Sequence, residues 1–292
     1  MTVTLNSTWR RLRLALAFSL VLCLSIVALS PASAQSLIRD TEIEDMIWDF
    51  SAPIIRAAGL NPESVDIYLV NDPTLNAFVT RGQNIFFHTG LIMEAETPNQ
   101  LKGVIAHETG HIAGGHLARS DYGNRSAYGA MLIAAGIGLA AILAGEGEAG
   151  ALILGGSQQF GVMEVLAYSR TNEAAADQYA AQYMERTKQS GKGLIEFFEK
   201  FRYQEVLSNA RRYPYFRGHP LSSERIDSLR EVVDESPYTH TEDSPEDIAR
   251  LETAKAKLSG FLDAPQIVFS RYPSTDTSNN ARYARAVAHF RS

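Results

Sequence analysis

Two histidines four residues apart flank a glutamate in His107-Glu108-Thr109-Gly110-His111. On an α-helix such residues lie about 40° apart around the axis and about 6 Å along it. Both imidazoles can then aim at one point, and zinc accepts two such nitrogens at about 2.0–2.1 Å. Glu108 projects beside them, close enough to take the proton of a water on the metal. The chemistry this spacing predicts is metal-assisted hydrolysis.

A catalytic zinc site takes a third protein ligand and keeps one position open. The candidate is Glu173, in Asn172-Glu173-Ala174-Ala175-Ala176-Asp177. The three alanines leave room for a second helix to approach closely. Asp177, one turn on, shares the face of Glu173 and can accept the second ring N–H of a ligand histidine, fixing its tautomer. His116 follows His111 by five residues, about 140° around a continuing helix, so it is expected to point away from the metal and to serve packing or hydrogen bonding. The metzincin pattern would place its third histidine one residue later, where Leu117 stands, and that class is disfavoured.

Composition narrows the ligand chemistry further. The chain has 292 residues, a formal charge of −6 and one cysteine. One cysteine excludes an intramolecular disulfide framework and any cysteine-rich metal site, leaving His, Asp and Glu as ligands. The acidic balance argues against nucleic-acid binding, which needs a basic face. Residues 1–34 read as a secretory signal peptide: Arg10, Arg11 and Arg13, an apolar run from Leu14 to Leu29, then Pro31-Ala32-Ser33-Ala34. Cleavage after Ala34 would leave 258 residues, 24 basic and 33 acidic side chains, a charge of −9 and no cysteine. The destination this style of signal predicts is a bacterial periplasm.

The elements that must position these residues are legible from periodicity. A helix is expected from Ile38 to Ala58 with Gly59 as its stop, and a strand over Val65–Val70. Ala77–Thr80 and Asn84–His88 read as a hairpin across Arg81-Gly82-Gln83. Helices are expected after Thr89-Gly90 and over Leu101–Arg119, Glu164–Arg186 and Lys192–Leu207. The fold class is α+β, mainly helical, with one small β-sheet. Residues 129–156 are a Gly/Ala-rich apolar stretch broken by Glu146-Gly147-Glu148. Counted from Met131 to Gly145 it is too short to span a bilayer as one helix. It is read as an apolar hairpin or lid, a buried helix or a peripheral membrane contact. Beyond Glu235 the composition turns to Ser, Thr, Pro and acid, and Asn280–Arg291 reads as the first helix of a tetratricopeptide-type repeat.

Taken together, His107-Glu108-x-x-His111, Asn172-Glu173 to Asp177, and His219-Pro220 with Glu224-Arg225 resemble the HtpX/CAAX-prenyl-protease family of gluzincins. Asn76-Ala77-Phe78 through Gly90-Leu91 is similar to that family's edge-strand segment, and the likeness covers about residues 40–235. With the signal peptide and the terminal helix, the chain is most like the family's periplasmic, BepA-like members. The resemblance implies a zincin-type metalloprotease domain, with the small sheet beside the active-site helix. It implies one zinc ion on His107, His111 and Glu173, Glu108 as general base, and Asp177 supporting a ligand histidine. It also brings His219 and Arg225 to the metal: His219 as a transition-state stabiliser or a fourth ligand closing a latent site, Arg225 as an aid to the oxyanion. Without it, His219 is a loop histidine and Arg225 a surface arginine.

These readings divide the chain into a signal peptide (1–34), a metallopeptidase domain (35–262) and a tail (263–292) that begins a repeat. Its partners would be polypeptides, unfolded or misassembled envelope proteins and outer-membrane β-barrel precursors among them, with the outer-membrane assembly machinery as a further partner. Asn84–His88, as a sheet edge, would bind substrate backbone by strand addition. The competing reading is a chaperone-like binding module with a latent protease site. A membrane-embedded protease would need several spanning helices, and no stretch of the mature chain is expected to be long enough.

Overall fold

A computed structural model describes residues 36–80, 82–201, 215 and 218–292. The signal-peptide reading of residues 1–34 lies outside the described residues, as does the end of the helix expected to reach Leu207. Residues Ser36–Ser292 form one compact unit.

Helix α1 (Thr41–Ala57) starts where Asp40 accepts from the Ile43 amide at 3.1 Å, and it buries Ile43, Met46, Ile47, Phe50, Ile54 and Ile55. Four strands follow the order β1-β2-β4-β3, where β1 is Leu37–Ile38, β2 Asp66–Val70, β3 Ala77–Thr80 and β4 Asn84–His88. The expected hairpin is present as the antiparallel β3–β4 pair. One expectation is overturned: Asn84–His88 is not an edge. β4 pairs in parallel with β2 on its other side, so the edge strand of the hairpin is β3. The physical reason is visible in β4 itself, which is apolar on both faces. Ile85 and Phe87 are buried in the core, while Phe86 stacks between Tyr68 and Phe78 at 4.9 and 5.0 Å.

Helix α2 (Thr89–Glu94) leads into α3 (Pro98–Ala113), capped by the Thr97 side chain on the Gln100 amide at 3.2 Å. Every residue of α3 from Gln100 to His111 is buried. The helix is therefore enclosed on all sides, where the sequence pattern shows only one apolar face. It is followed by α4 (Ser120–Leu143), α5 (Gly147–Gly155) and the 30-residue α6 (Ser157–Arg186). Where α3 meets α6, a Cβ on Gly110 would lie 3.0 Å from the Ala176 carbonyl oxygen. That contact, with the small residues beside it, lets the two backbones approach closely enough for their side chains to share a site.

The apolar stretch 129–156 is helical and exposed, which excludes a buried helix. Nor is it too short: α4 begins at Ser120, and Arg125–Leu143 is long and apolar enough, by length and composition, to cross a membrane. Counting from Met131 missed the neutral residues Ser126 to Ala130, which extend the same helix.

Helices α7 (Lys192–Phe201), α8 (Ser223–Glu235) and α9 (Pro245–Leu262) complete the core. Helix α11 (Asn279–Arg291), after the short α10 (Pro265–Arg271), packs on α9, burying Ala281, Ala284 and Ala288 around Ala256 and Val268. Lys102 ties α9 to α3. Its ammonium, under the surface, lies 2.7 Å from Asp247 and 3.5 Å from Asp243, and 4.8 Å from the Phe50 ring centre. Replacing Lys102 by Met removes the cation from two largely buried carboxylates. The expected loss is about 2–3 kcal/mol of unfolding free energy, read from the urea midpoint at constant m.

Candidate metal centre

The i, i+4 spacing on α3 brings His107 Nε2 within 3.1 Å of His111 Nε2. Across the crossing with α6, Glu173 places one carboxylate oxygen 3.4 Å from His107 Nε2 and the other 3.4 Å from His111 Nε2. Four ligands about 2.0–2.1 Å from a tetrahedral ion are about 3.3–3.4 Å apart, so these three donors have the spacing of a zinc site. His219 approaches from the segment before α8. Its Nδ1 is 3.2 Å from His107 Nε2 and 3.0 Å from Glu173 Oε2, and the four donor atoms all lie within 4.8 Å of one another.

Electrostatics point the same way. Burial works against charge on His107, but the hydrogen bonds and charges of Asp177 and Glu173 outweigh it and raise its pKa to about 9. Burial and the neighbouring His107 hold His111 well below the usual histidine range. Burial also opposes the ionised form of Glu173, yet the histidine hydrogen bonds keep it far below the carboxylate range. The ionised Glu173 and the neutral His111 are in the forms that can ligate a divalent cation. Glu108 is fully buried at the same place, its pKa raised by burial, and among the described residues neither of its carboxylate oxygens accepts a hydrogen bond. His219 Nε2 lies 3.5 Å from Oε1. A buried carboxylate in that condition is aimed at a ligand the protein itself does not supply.

Behind the donors stands a second layer of ion pairs. His107 Nδ1 lies 3.0 Å from Asp177 Oδ1, the contact the one-turn spacing of Glu173 and Asp177 predicts. Arg225 stands differently from the expected oxyanion aid. Its Nε and Nη2 donate to the two oxygens of Asp177 at 2.7 and 2.8 Å, and Nη1 donates to the Pro220 carbonyl at 2.6 Å. With Phe198 beneath it at 5.4 Å, the buried guanidinium clamps Asp177, and its Nη1 lies 3.4 Å from Glu173 Oε2. A surface reading of Arg225 fails for the same reason.

His116 also departs from expectation. α3 stops at Ala113, Gly115 takes φ +63°, and the chain doubles back to set His116 Nδ1 2.9 Å from His111 Nδ1. The angle for a continuing helix does not apply, so His116 turns toward the site, in the hydrogen-bonding role and not as a ligand. The Gly114-Gly115 pair was the signal for that turn. Tyr215 has no counterpart in the sequence reading. It is fully buried, stacks on the His219 ring at 4.6 Å, and its carbonyl accepts from the His219 amide at 2.8 Å. Its position one helical turn before His219 was the available clue.

Beside the donors a cleft of about 330 Å³ opens, lined by Phe78 and Val79 of β3, His111, His219, Val165 and Tyr168. Residues 38–233 match Peptidase family M48. The chain belongs to that family. It is 27% identical over 197 residues to the beta-barrel assembly-enhancing protease of Escherichia coli K12, a match covering 66% of this chain and 39% of that protein. Two metalloproteases of the same organism are also similar: LoiP (30% over 175 residues, 58% of this chain and 62% of LoiP) and YcaL (29% over 187 residues, 62% and 68%). The chain thus spans about two fifths of the length of the assembly-enhancing protease. The family is one of peptidases, and the fold is the mainly helical α+β domain expected from the motifs.

Asp177→Asn should separate the ion-pair layer from the donors. It removes the negative charge that faces both the Arg225 guanidinium and His107 Nδ1. Metal affinity, measured by competition with a chromophoric chelator, is expected to fall about 10–100-fold. Unfolding stability is expected to fall by about 3 kcal/mol.

Proposed function

We propose that this member of the M48 family is a zinc metalloendopeptidase of the bacterial periplasm that hydrolyses unfolded or misassembled envelope proteins. The observation that carries the catalytic part is the unpartnered, buried Glu108 beside three donors at tetrahedral spacing. His107, His111 and Glu173 would hold the ion. When bound, zinc supplies Lewis acidity that brings the pKa of a water toward 7 and polarises a peptide carbonyl. Glu108 takes the proton of the attacking water and passes it to the amine leaving group. Its buried, raised pKa suits a group that must both accept and return a proton. Asp177 and Arg225 keep His107 in the right tautomer and orientation. His219, stacked on Tyr215, offers a donor to the oxyanion.

Substrate recognition is assigned to β3, which has no strand on its outer side among the described residues and whose Phe78 and Val79 line the cleft. Strand addition there reads backbone amides, with the apolar lining of Phe78, Val79 and Val165 favouring an apolar side chain. Such recognition is nearly blind to sequence and requires an extended chain, so unfolded polypeptide is the natural substrate class. The name of the assembly-enhancing relative supports envelope proteins, β-barrel precursors included. The periplasmic location rests on the signal-peptide reading of residues 1–34.

One observation favours a second reading, a latent protease acting as a binding module: His219 Nδ1 sits among the ligand atoms, as a fourth ligand would. The two readings differ in sign for His219→Ala. The rate rises if His219 closes the site, and falls about 10²-fold or more if it stabilises the oxyanion.

Glu108→Gln tests the central assignment. Metal stoichiometry is expected to stay at one zinc per chain, while cleavage of a denatured, soluble protein substrate falls at least about 10³-fold. Cleavage at the wild-type rate by the metal-loaded variant would remove Glu108 from catalysis.

A further inference from the structure

Among the described residues, α4 and α5 bury only small ones: Ala127, Ala134, Gly138 and Gly150. Where the helices meet, they touch backbone to backbone. A Cβ on Gly138 would lie 2.7 Å from the Leu154 amide nitrogen, and one on Gly150 would lie 2.5 Å from the Gly138 carbonyl oxygen. Small residues fill the inside of the pair, so the large ones point out. Leu132 and Ile133 are each 66% exposed, Leu143 80% and Leu152 74%. On α4, the exposed Leu132, Ile133, Ile137, Leu139 and Leu143 fan over about 160° of the helix surface, wider than the stripe of about 100° that a helix lays into a protein groove.

Charge placement says what covers this surface. The chain has no ionisable side chain other than Tyr128 from Ser126 to Gly145. The window Arg125–Leu143 has a mean hydropathy of 1.9, with 11% of it buried. From Arg125 to Leu143, where α4 ends, are 19 residues, or about 28 Å of helix, close to a hydrocarbon thickness of about 30 Å. At the base stand three exposed arginines, Arg119, Arg125 and Arg170, suited to anionic headgroups. Tight glycine-mediated pairing with large apolar residues outward is how helices pack where the surroundings are as apolar as they are. Gln158 and Gln159 interrupt the return limb, so α4 carries the length and α5 rides on it.

We propose that the α4–α5 hairpin embeds in a lipid bilayer, with Arg119, Arg125 and Arg170 at the headgroups. Tyr168 and Val165, at the foot of the hairpin, also line the metal cleft, and the Tyr168 hydroxyl donates to the Arg119 carbonyl at 3.0 Å. Embedding the hairpin therefore holds the cleft at the membrane surface, where it meets polypeptides arriving at or leaving the bilayer. The inference is independent of the identity of the substrate.

The test uses the chain from Gln35 onward, since Ser36–Ser292 is compact by itself. It is floated with vesicles of phosphatidylethanolamine and phosphatidylglycerol. The wild type is expected to float, and Ile133→Asp with Ile137→Asp to lower the bound fraction about tenfold or more. Cleavage of a soluble denatured protein should be unchanged, because neither residue belongs to the cleft. In a second measurement, the fluorescence of a Leu143→Trp variant is expected to be quenched by brominated acyl chains at the introduced indole. A wild type that stays in solution, flotation indifferent to both aspartates, or an introduced indole left unquenched would overturn the proposal. So would a stable dimer in vesicle-free buffer that the aspartates dissociate, because a second copy would then be the occupant.

Discussion

The crossing of α3 on α6 sets the terms for the rest of the molecule. At that crossing Gly110 faces Ala176, and two helix backbones come close enough for His107, His111 and Glu173 to meet. Bringing two imidazoles and a carboxylate into a water-excluded interior is costly unless their charges are matched and their polar atoms satisfied. Asp177 answers His107, Arg225 answers Asp177, and the Pro220 carbonyl accepts from a third guanidinium nitrogen. Each partner is required by the one before it. The chain of ion pairs runs from the metal donors to the start of α8, fixing where the segment carrying His219 must lie.

Burial has a second consequence at Glu108. The same enclosure that keeps the donors dry leaves its carboxylate without a protein partner and raises its pKa. A buried carboxylate in that state costs stability, a cost of the kind that active sites carry. Around it the fold divides labour by rigidity. The donors sit on long, packed helices, whereas the cleft is walled by a short edge strand and the exposed apolar side chains stand on a hairpin outside the core. The hairpin base and the cleft share Val165 and Tyr168, so the two are joined through one helix, α6.

Local and non-local information separate cleanly in this chain. The spacing of His107 and His111, and of Glu173 and Asp177, is fixed by helix geometry, so each pair was readable as one face before any fold was known. The same holds for the β3–β4 hairpin, where Gly82 and Gln83 take positive φ. Strand order was not readable, because β4 becomes interior only when β2, 14 residues upstream of it in the sequence, returns to pair with it. His116 was misdirected because a two-glycine stop ends α3 early, and the extent of α4 was cut short because neutral small residues carry little pattern.

By itself the sequence determined the donor types, their local spacing, the absence of cysteine ligands beyond Cys23, and the family the motifs resemble. Those properties depend on composition and on contacts within one helical turn. Only the tertiary structure decided that Arg225 clamps Asp177, that Tyr215 backs His219, that β3 is the free edge beside the cleft, and that α4 and α5 show their apolar side outward. Each of these depends on which distant segment arrives at a given face. That is settled by the packing of the whole core, and no short stretch of residues encodes it.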